Sequence, residues 1–139
     1  MMRQPRGLHV TRVRPDVTVR WRVLQSDDVG LRSSRCLYAL LRRDRKEILY
    51  IGKADRQTVA QRLGCWKKDR MWRHLARQRV SNCLALIGEV TLEYGGRYSG
   101  ELLSDIESLL IMGEQPTGNV QSRKSRISRS GLCIACTGN

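Results

Sequence analysis

Two apolar runs of strand length, separated by a short charged stretch, constrain the fold of this chain most. The first run is Cys-Leu-Tyr-Ala-Leu-Leu at 36–41, and the second, at 47–52, centres on Ile-Leu-Tyr-Ile. The five residues between them, Arg-Arg-Asp-Arg-Lys, are all charged. Strand-length apolar runs joined by a short polar connection are typical of an antiparallel hairpin. The sequence therefore predicts a β-hairpin over residues 36–52.

Two further segments have the pattern of strands. Residues 17–23 alternate apolar and polar side chains, and the Arg-Pro-Asp before them is a turn signal, so a short strand at 8–13 can pair with this one as an N-terminal hairpin. Its apolar positions are Val17, Val19, Trp21 and Val23. Residues 82–93 predict a third core strand, which ends at Gly95 and Gly96.

Helical periodicity appears in three places. Residues 58–63 and 66–80 are predicted to be helical, the second with basic side chains on its outer faces. Residues 100–112 form the clearest helix, which Gly113 is expected to end and Pro116 to stop from resuming. Its apolar stripe is Leu102, Leu103, Ile106, Leu109 and Leu110.

This order of elements predicts an α+β fold: a small antiparallel sheet of about three core strands, flanked by helices and preceded by an N-terminal β-hairpin extension. Residues 1–35 form the basic extension, 36–120 the principal domain and 121–139 a basic tail that we expect to be flexible. A chain of 139 residues has room for one compact domain.

The charge of the chain indicates its partner. Lys and Arg number 26 against 13 Asp and Glu, which gives a net charge of +13. A strongly basic single domain is typical of proteins that bind nucleic acid, although an anionic membrane surface or solubility alone would also explain the excess. We expect nucleic acid.

Other classes are excluded or disfavoured. No stretch approaches the roughly 20 apolar residues of a membrane helix, and the first ten residues lack the apolar run of a secretory signal. The five cysteines are not spaced as a disulfide scaffold, which favours a reducing cytoplasm. The Cys-x-x-Cys at 133–136 has no second ligand pair at zinc-finger spacing, so we do not expect zinc there.

The distribution of charge suggests a metal as well as phosphate. Residues 53–79 carry nine basic side chains against only Asp55 and Asp69, whereas residues 100–119 carry four acids and no base. Phosphate binding alone would not favour an acidic segment in such a protein. The acidic segment is explained if one of its carboxylates binds a cation that in turn contacts phosphate.

Several side chains could do chemistry, and each also has an ordinary structural interpretation. Tyr38 and Tyr50 lie in neighbouring strands, where nearby cations such as Lys53 and Arg62 would lower a phenol pKa, yet tyrosine is also common in sheets. The guanidinium of Arg62 suits a phosphate oxygen or a solvated helix face. Gly52 permits a close approach or a plain turn.

The acidic helix offers two carboxylates. Glu107 lies at the border of the apolar stripe and could hold Mg²⁺, which often uses only one or two protein carboxylates. Asp105, at the opposite border, is the competing ligand. Asn119, after Pro116, could bind a phosphate or only its own turn.

In this order, these residues resemble the GIY-YIG nuclease family. The first motif is represented by Cys-Leu-Tyr at 36–38 and the second, intact, by Tyr-Ile-Gly at 50–52, followed by Lys-Ala. A helical arginine matches Arg62, with Arg56 as the alternative because the interval after Tyr50 is long. The helical glutamate matches Glu107, and an asparagine shortly after a proline matches Asn119. The resemblance spans residues 36–119.

The resemblance implies a metal-dependent endonuclease that hydrolyses DNA phosphodiester bonds with Mg²⁺ or Mn²⁺. Glu107 would hold the metal, the tyrosines would take a proton from the attacking water, and Lys53 and Arg62 would hold the phosphate. The catalytic residues that it implies are Tyr38, Tyr50, Lys53, Arg62, Glu107 and Asn119.

The basic residues around the second helix are expected to contact the DNA backbone. They are Arg56, Lys67, Lys68, Arg70, Arg73, His74 and Arg77. Restriction, repair, mobile-element and toxin roles all fit an intracellular, nucleoid-associated enzyme, and double-strand cleavage would require a homodimer or two sequential events. The alternative is a catalytically inactive nucleic-acid-binding module on the same scaffold.

Overall fold

A five-stranded mixed sheet forms the centre of the structure. The computed structural model describes residues 15–25, 28–43, 47–64, 73, 76, 83–119 and 132–138. The strands are β1 (Val17–Val23), β2 (Cys36–Arg42), β3 (Ile48–Ala54), β4 (Cys83–Leu92) and β5 (Ile134–Gly138). Their order in the sheet is β3-β2-β4-β1-β5. All neighbours are antiparallel except β1 and β5, which are parallel.

Two α-helices accompany this sheet in the described ranges: α1 (Val59–Leu63) and α2 (Gly100–Glu114). Helix α1 begins with a capping box between Thr58 and Gln61, and Ser99 caps the start of α2. Short 3₁₀ segments occupy Val29–Arg32 and Glu93–Gly95. Of the helix predicted over 66–80, only Arg73 and Ala76 are described, and both are helical.

The helices pack on opposite faces of the sheet. Leu37 of β2 and Val19 of β1 form a cluster with Leu103 and Ile106, so α2 covers one face. On the other face, Tyr38 and Ala54 pack with Val59 and Leu63 of α1. Because successive strand residues point to opposite faces, β2 and β4 contribute to both clusters.

The predicted hairpin and third core strand are confirmed, and the α+β class is confirmed in its coarse form. The prediction of a three-stranded antiparallel sheet is wrong, because the sheet has five strands and one parallel pair. Strand β1 is not part of an appended hairpin: it lies inside the sheet between β4 and β5. Its predicted partner at 8–13 lies outside the described residues.

Two strands that are far apart in the sequence, β1 and β5, pair in this sheet. Residues 134–138 were expected to belong to a flexible tail but form β5, which pairs along β1. The side of β1 that faces α2 is buried: Val17 is 1% exposed and Val19 is 0% exposed. Val17 and Val19 pack against Leu102, Leu103 and Ile106 of α2, so β1 buries its apolar side by joining the sheet that this helix covers.

Helix α2 ends later than Gly113 predicts. It continues to Glu114, and Gln115 takes the left-handed conformation at φ 48°, donating its backbone N–H to the Ile111 carbonyl. A non-glycine residue therefore provides the C-terminal cap. Among the described residues, no helix has the length and apolar character needed to cross a membrane.

Two glycine-to-alanine substitutions test the packing of the sheet against its surroundings. A Cβ at Gly88 would lie 2.9 Å from both Val19 Cγ1 and Trp21 Cζ3, whereas one at Gly113 meets nothing within 4 Å. We expect Gly88→Ala to lower the free energy of unfolding by about 1–3 kcal/mol. Gly113→Ala should raise it by about 0.5–1 kcal/mol, because alanine favours helix. Urea denaturation measures both, and an unchanged stability in Gly88→Ala would contradict the packing.

Candidate functional site

A pair of tyrosines lies on the α1 face of the sheet. Tyr38 of β2 is paired in register with Gly52 of β3, and Tyr50 precedes Gly52 by two residues, so all three share this face. The two rings are 5.9 Å apart between centroids and tilted by 31°. Tyr38 is 1% exposed, and Tyr50 is half-buried.

Gly52 is required by the position of Tyr38. A Cβ at Gly52 would collide with the phenol of Tyr38, because the ring lies directly over the glycine. The close approach expected at this glycine therefore exists, and the group that approaches is a side chain of the neighbouring strand. Any larger residue at position 52 would displace the tyrosine ring.

The predicted lowering of the tyrosine pKa is wrong for Tyr38. Burial raises the pKa of its phenol strongly, and Tyr50 adds to the rise. The Arg62 guanidinium acts in the opposite direction but does not outweigh burial. Tyr38 is therefore protonated at neutral and moderately alkaline pH, and its hydroxyl acts as a donor rather than as a base.

Arg62 reaches the tyrosine face from the last turn of α1. Its NH1 donates to Gln57 Oε1 at 3.4 Å, and its charge acts on the Tyr38 hydroxyl. The capping box at Thr58 sets where the helix begins and thus which of its residues point to the sheet. The structure brings Arg62 to the tyrosines, whereas Arg56 is exposed in the loop before α1.

A cavity opens at the carboxyl end of β3. Its volume is about 280 Å³, and it is lined by Lys53, Asp55, Arg56, Gln57 and Arg62. Three cationic side chains and one carboxylate thus surround a space large enough for a phosphate group. Charge of this kind attracts phosphate oxygens, and two of the lining groups are guanidinium forks that bind them in pairs.

Lys53 lies on the opposite face from the tyrosines. It pairs in register with Leu37, which packs against α2, and its Nζ donates to Ser104 Oγ of α2. The predicted site residues therefore do not share one face of the sheet. They are divided between the two faces of β3. At the end of this strand, Lys53 lines the cavity from the α2 face and Arg62 lines it from the tyrosine face.

The position of Glu107 follows from how α2 runs along β3. Gly100 adjoins Asp55, Ser104 contacts Lys53, and Ile111 shares a cluster with Ile51. The helix is therefore antiparallel to the strand, and Glu107, one turn after Ser104, lies beside the segment 51–53. Glu107 is half-buried, whereas the competing carboxylate Asp105 is 3% exposed.

Divalent metal was expected at Glu107. Among the described residues, no group of three His, Cys, Asp or Glu side chains comes close enough together to hold a metal ion. Glu107 does not line the cavity, and the carboxylate that does is Asp55. The described carboxylates therefore do not fit a closed protein cage for a metal ion, whereas a single carboxylate completed by waters is a ligand set that Mg²⁺ accepts, so the ion at Glu107 stays a prediction.

Asn119 makes a structural contact. The Ile51 backbone N–H donates to its Oδ1 at 2.9 Å, and its Nδ2 donates to the Ile51 carbonyl at 2.8 Å. Gly118 N–H donates to the Leu49 carbonyl at 2.7 Å. The residues after Pro116 thus pair with the outer edge of β3 as a neighbouring strand would, and the phosphate contact of Asn119 stays a prediction.

Sequence reasoning missed three residues near the cavity. The hydroxyl of Tyr98 donates to Asp55 Oδ1, and the Arg35 guanidinium lies over the Tyr98 ring at 5.3 Å. Burial and the Asp55 carboxylate raise the pKa of the Tyr98 phenol, which therefore remains a donor. The only signal for Asp55 was its acidity within a basic stretch, and nothing in the sequence connects it with Tyr98.

Other predicted residues lie outside the site or outside the described ranges. Arg73 is exposed. The remaining basic residues of that segment are not described: Lys67, Lys68, Arg70, His74 and Arg77. Burial, with a contribution from Glu89, raises the pKa of the Cys36 thiol to about 11, so this residue of the degenerate first motif is neutral.

Comparison of the chain with protein-family models, with curated proteins and with solved structures found no match. The residues and their geometry are therefore the basis of any functional assignment.

Removing the Asn119 amide tests whether this residue serves the fold. Asn119→Ala leaves a buried N–H and C=O of Ile51 without partners, so we expect a loss of about 2–4 kcal/mol in the free energy of unfolding. Gln57→Ala, which removes an exposed amide, should change it by less than about 0.5 kcal/mol. An Asn119→Ala protein of normal stability would contradict the structural role.

Proposed function

We propose that this protein is a metal-dependent DNA endonuclease with a GIY-YIG-type active site. The observation that carries the proposal is the pairing of β2 with β3, which brings Tyr38, Tyr50 and Arg62 together beside a cationic cavity. Cationic side chains line this space, Arg62 also acts on the phenol of Tyr38, and such an arrangement suits phosphodiester hydrolysis better than base recognition.

The two tyrosines have different roles in this proposal. Tyr38 is buried and protonated, so its hydroxyl can donate a hydrogen bond but cannot act as the base. Tyr50 is half-buried on the same face and is the phenol that an attacking water can reach. In this proposal Tyr50 reacts as its phenolate, which takes the proton of the water and becomes a neutral phenol, while Tyr38 and Arg62 orient Tyr50 and the phosphate.

The phosphate binds at the carboxyl end of β3. Arg62 and Lys53 approach the cavity from the two sides of this strand and hold the non-bridging oxygens, whose negative charge grows during attack. Glu107 would hold Mg²⁺ or Mn²⁺. The metal would supply charge neutralisation at the phosphate and the leaving oxygen.

DNA is the partner that the net charge of +13 favours. The exposed residues Arg56 and Arg73 then contact the backbone beyond the scissile phosphate, together with the basic residues around them. One site of this kind cuts one strand, so double-strand cleavage requires a homodimer or two sequential events. An enzyme of this type acts inside the cell, on the nucleoid.

A second candidate is a catalytically inactive DNA-binding module. The favouring observation is that Lys53 and Glu107 lie on the α2 side of β3, whereas the tyrosines lie on the α1 side. The ammonium of Lys53 also donates to Ser104. Such a module would bind DNA with strong salt dependence and show no turnover with any divalent ion.

Substitution of Tyr50 and Glu107 distinguishes the two candidates. We expect Tyr50→Phe and Glu107→Gln each to lower Mg²⁺-dependent cleavage of plasmid or branched DNA by about 100-fold or more, because each removes a group that acts on the reaction. Affinity for DNA should change by less than about threefold, since most binding comes from the basic surface. Gel-based digestion and fluorescence anisotropy measure the two quantities.

Tyr94→Phe and Glu114→Gln are the matched controls, because both side chains are exposed and neither lines the cavity. They should cleave as the unaltered protein does. If the unaltered protein cuts no plasmid, single-stranded or branched DNA with Mg²⁺ or Mn²⁺, the nuclease proposal fails and the binding module replaces it.

A further inference from the structure

Asp55 connects the cavity with the start of α2. Its carboxylate lines the cavity, and its Oδ1 accepts a hydrogen bond from the Tyr98 hydroxyl. The Arg35 guanidinium lies over the Tyr98 ring, and the Arg35 backbone N–H donates to the Asp55 carbonyl at 3.3 Å. These contacts hold together three segments that are distant in sequence.

The first residue of α2 fits closely against the same carboxylate. A Cβ on Gly100 would lie 2.7 Å from Asp55 Oδ2, so the helix can approach this closely only because position 100 is glycine. The contact therefore sets the distance between the end of β3 and the first turn of α2.

The register of α2 along β3 is set at two polar contacts. The first is the contact of Asp55 with Tyr98 and Gly100, and the second is the hydrogen bond from Lys53 to Ser104, one turn along the helix. Glu107 follows after another turn. Because a helix moves as a unit, a displacement of its first turn displaces Glu107 relative to the cavity.

A carboxylate in this cavity is unfavourable for phosphate binding itself. It adds one negative charge among Lys53, Arg56 and Arg62 and weakens their attraction for an anion. Phosphate binding therefore does not explain why an aspartate lies in this cavity, whereas a role in holding α2 does.

We propose that Asp55 is a positioning residue of the nuclease site: through Tyr98 and Gly100 it holds the first turn of α2, and with it Glu107, in place beside β3. This inference rests on the proposed function and goes beyond it, because it assigns to Asp55 a role in holding α2 rather than in binding phosphate or activating water. Tyr98 and Gly100 share the role.

The test disturbs the contact without changing the carboxylate. Tyr98→Phe removes the hydrogen bond, and Gly100→Ala pushes a methyl group against Asp55 Oδ2. We expect each to lower kcat by about tenfold or more, because small displacements of a catalytic group are costly. KM for DNA should stay within about twofold, and the Mg²⁺ concentration for half-maximal cleavage should rise. Tyr94→Phe and Gly113→Ala are the matched controls and should cleave normally.

A second measurement does not depend on cleavage. The backbone N–H groups of Leu102 and Leu103 donate to Ser99 at the start of α2. Their hydrogen exchange should be faster in Tyr98→Phe and Gly100→Ala than in either control. Asp55→Asn keeps an oxygen acceptor for Tyr98, so it should restore most of the kcat that Asp55→Ala loses.

Each outcome is decisive. Normal kcat and normal exchange in Tyr98→Phe and Gly100→Ala, in a protein whose unaltered form cleaves DNA, would overturn the positioning role and leave the nuclease intact. Asp55→Asn as impaired as Asp55→Ala would also overturn it, because the charge of Asp55 would then be what matters. If the unaltered protein cleaves no DNA, the proposed function fails first, and the role of Asp55 fails with it.

Discussion

The contact between the Tyr38 ring and Gly52 is the constraint on which the candidate site depends. It requires β2 and β3 to pair in one register, because a slip of one residue would move every side chain of the strand to the other face. In this register both tyrosines lie on the α1 side, within reach of Arg62. The absence of a side chain at position 52 allows the phenol of Tyr38 to be buried there without strain.

The place of β3 at one end of the described sheet decides how the other residues are organised. An edge strand has two faces and one edge whose backbone groups are not paired with another strand. In β3, both faces and this edge carry polar contacts. Arg62 acts on the tyrosine face, Lys53 contacts Ser104 on the helix face, and Asn119 pairs with the backbone of Ile51. The cavity forms where this strand ends.

Burial and charge compete at the tyrosines, and burial prevails for Tyr38. A list of nearby cations suggests a lowered pKa, yet removal of the hydroxyl from water penalises the phenolate more than Arg62 stabilises it. Two tyrosines that look equivalent in the sequence are thus a buried donor and an accessible phenol. Burial also raises the pKa of the Tyr98 phenol, so this hydroxyl keeps its proton and donates a hydrogen bond to Asp55.

The sequence by itself determined the local elements. Alternation and apolar runs predict β1 to β4, and the stripe from Leu102 to Leu110 predicts α2, since these patterns reflect which side of one element is buried. Only the tertiary structure decided that β1 and β5 join one mixed sheet, that Lys53 and Tyr38 lie on opposite faces of it, and that Asn119 serves the edge of β3. These features depend on pairings between residues far apart in the chain, and no local pattern encodes such pairings. Asp55 and Tyr98, 43 residues apart, are the clearest case, because only the packing of α2 against β3 brings them together.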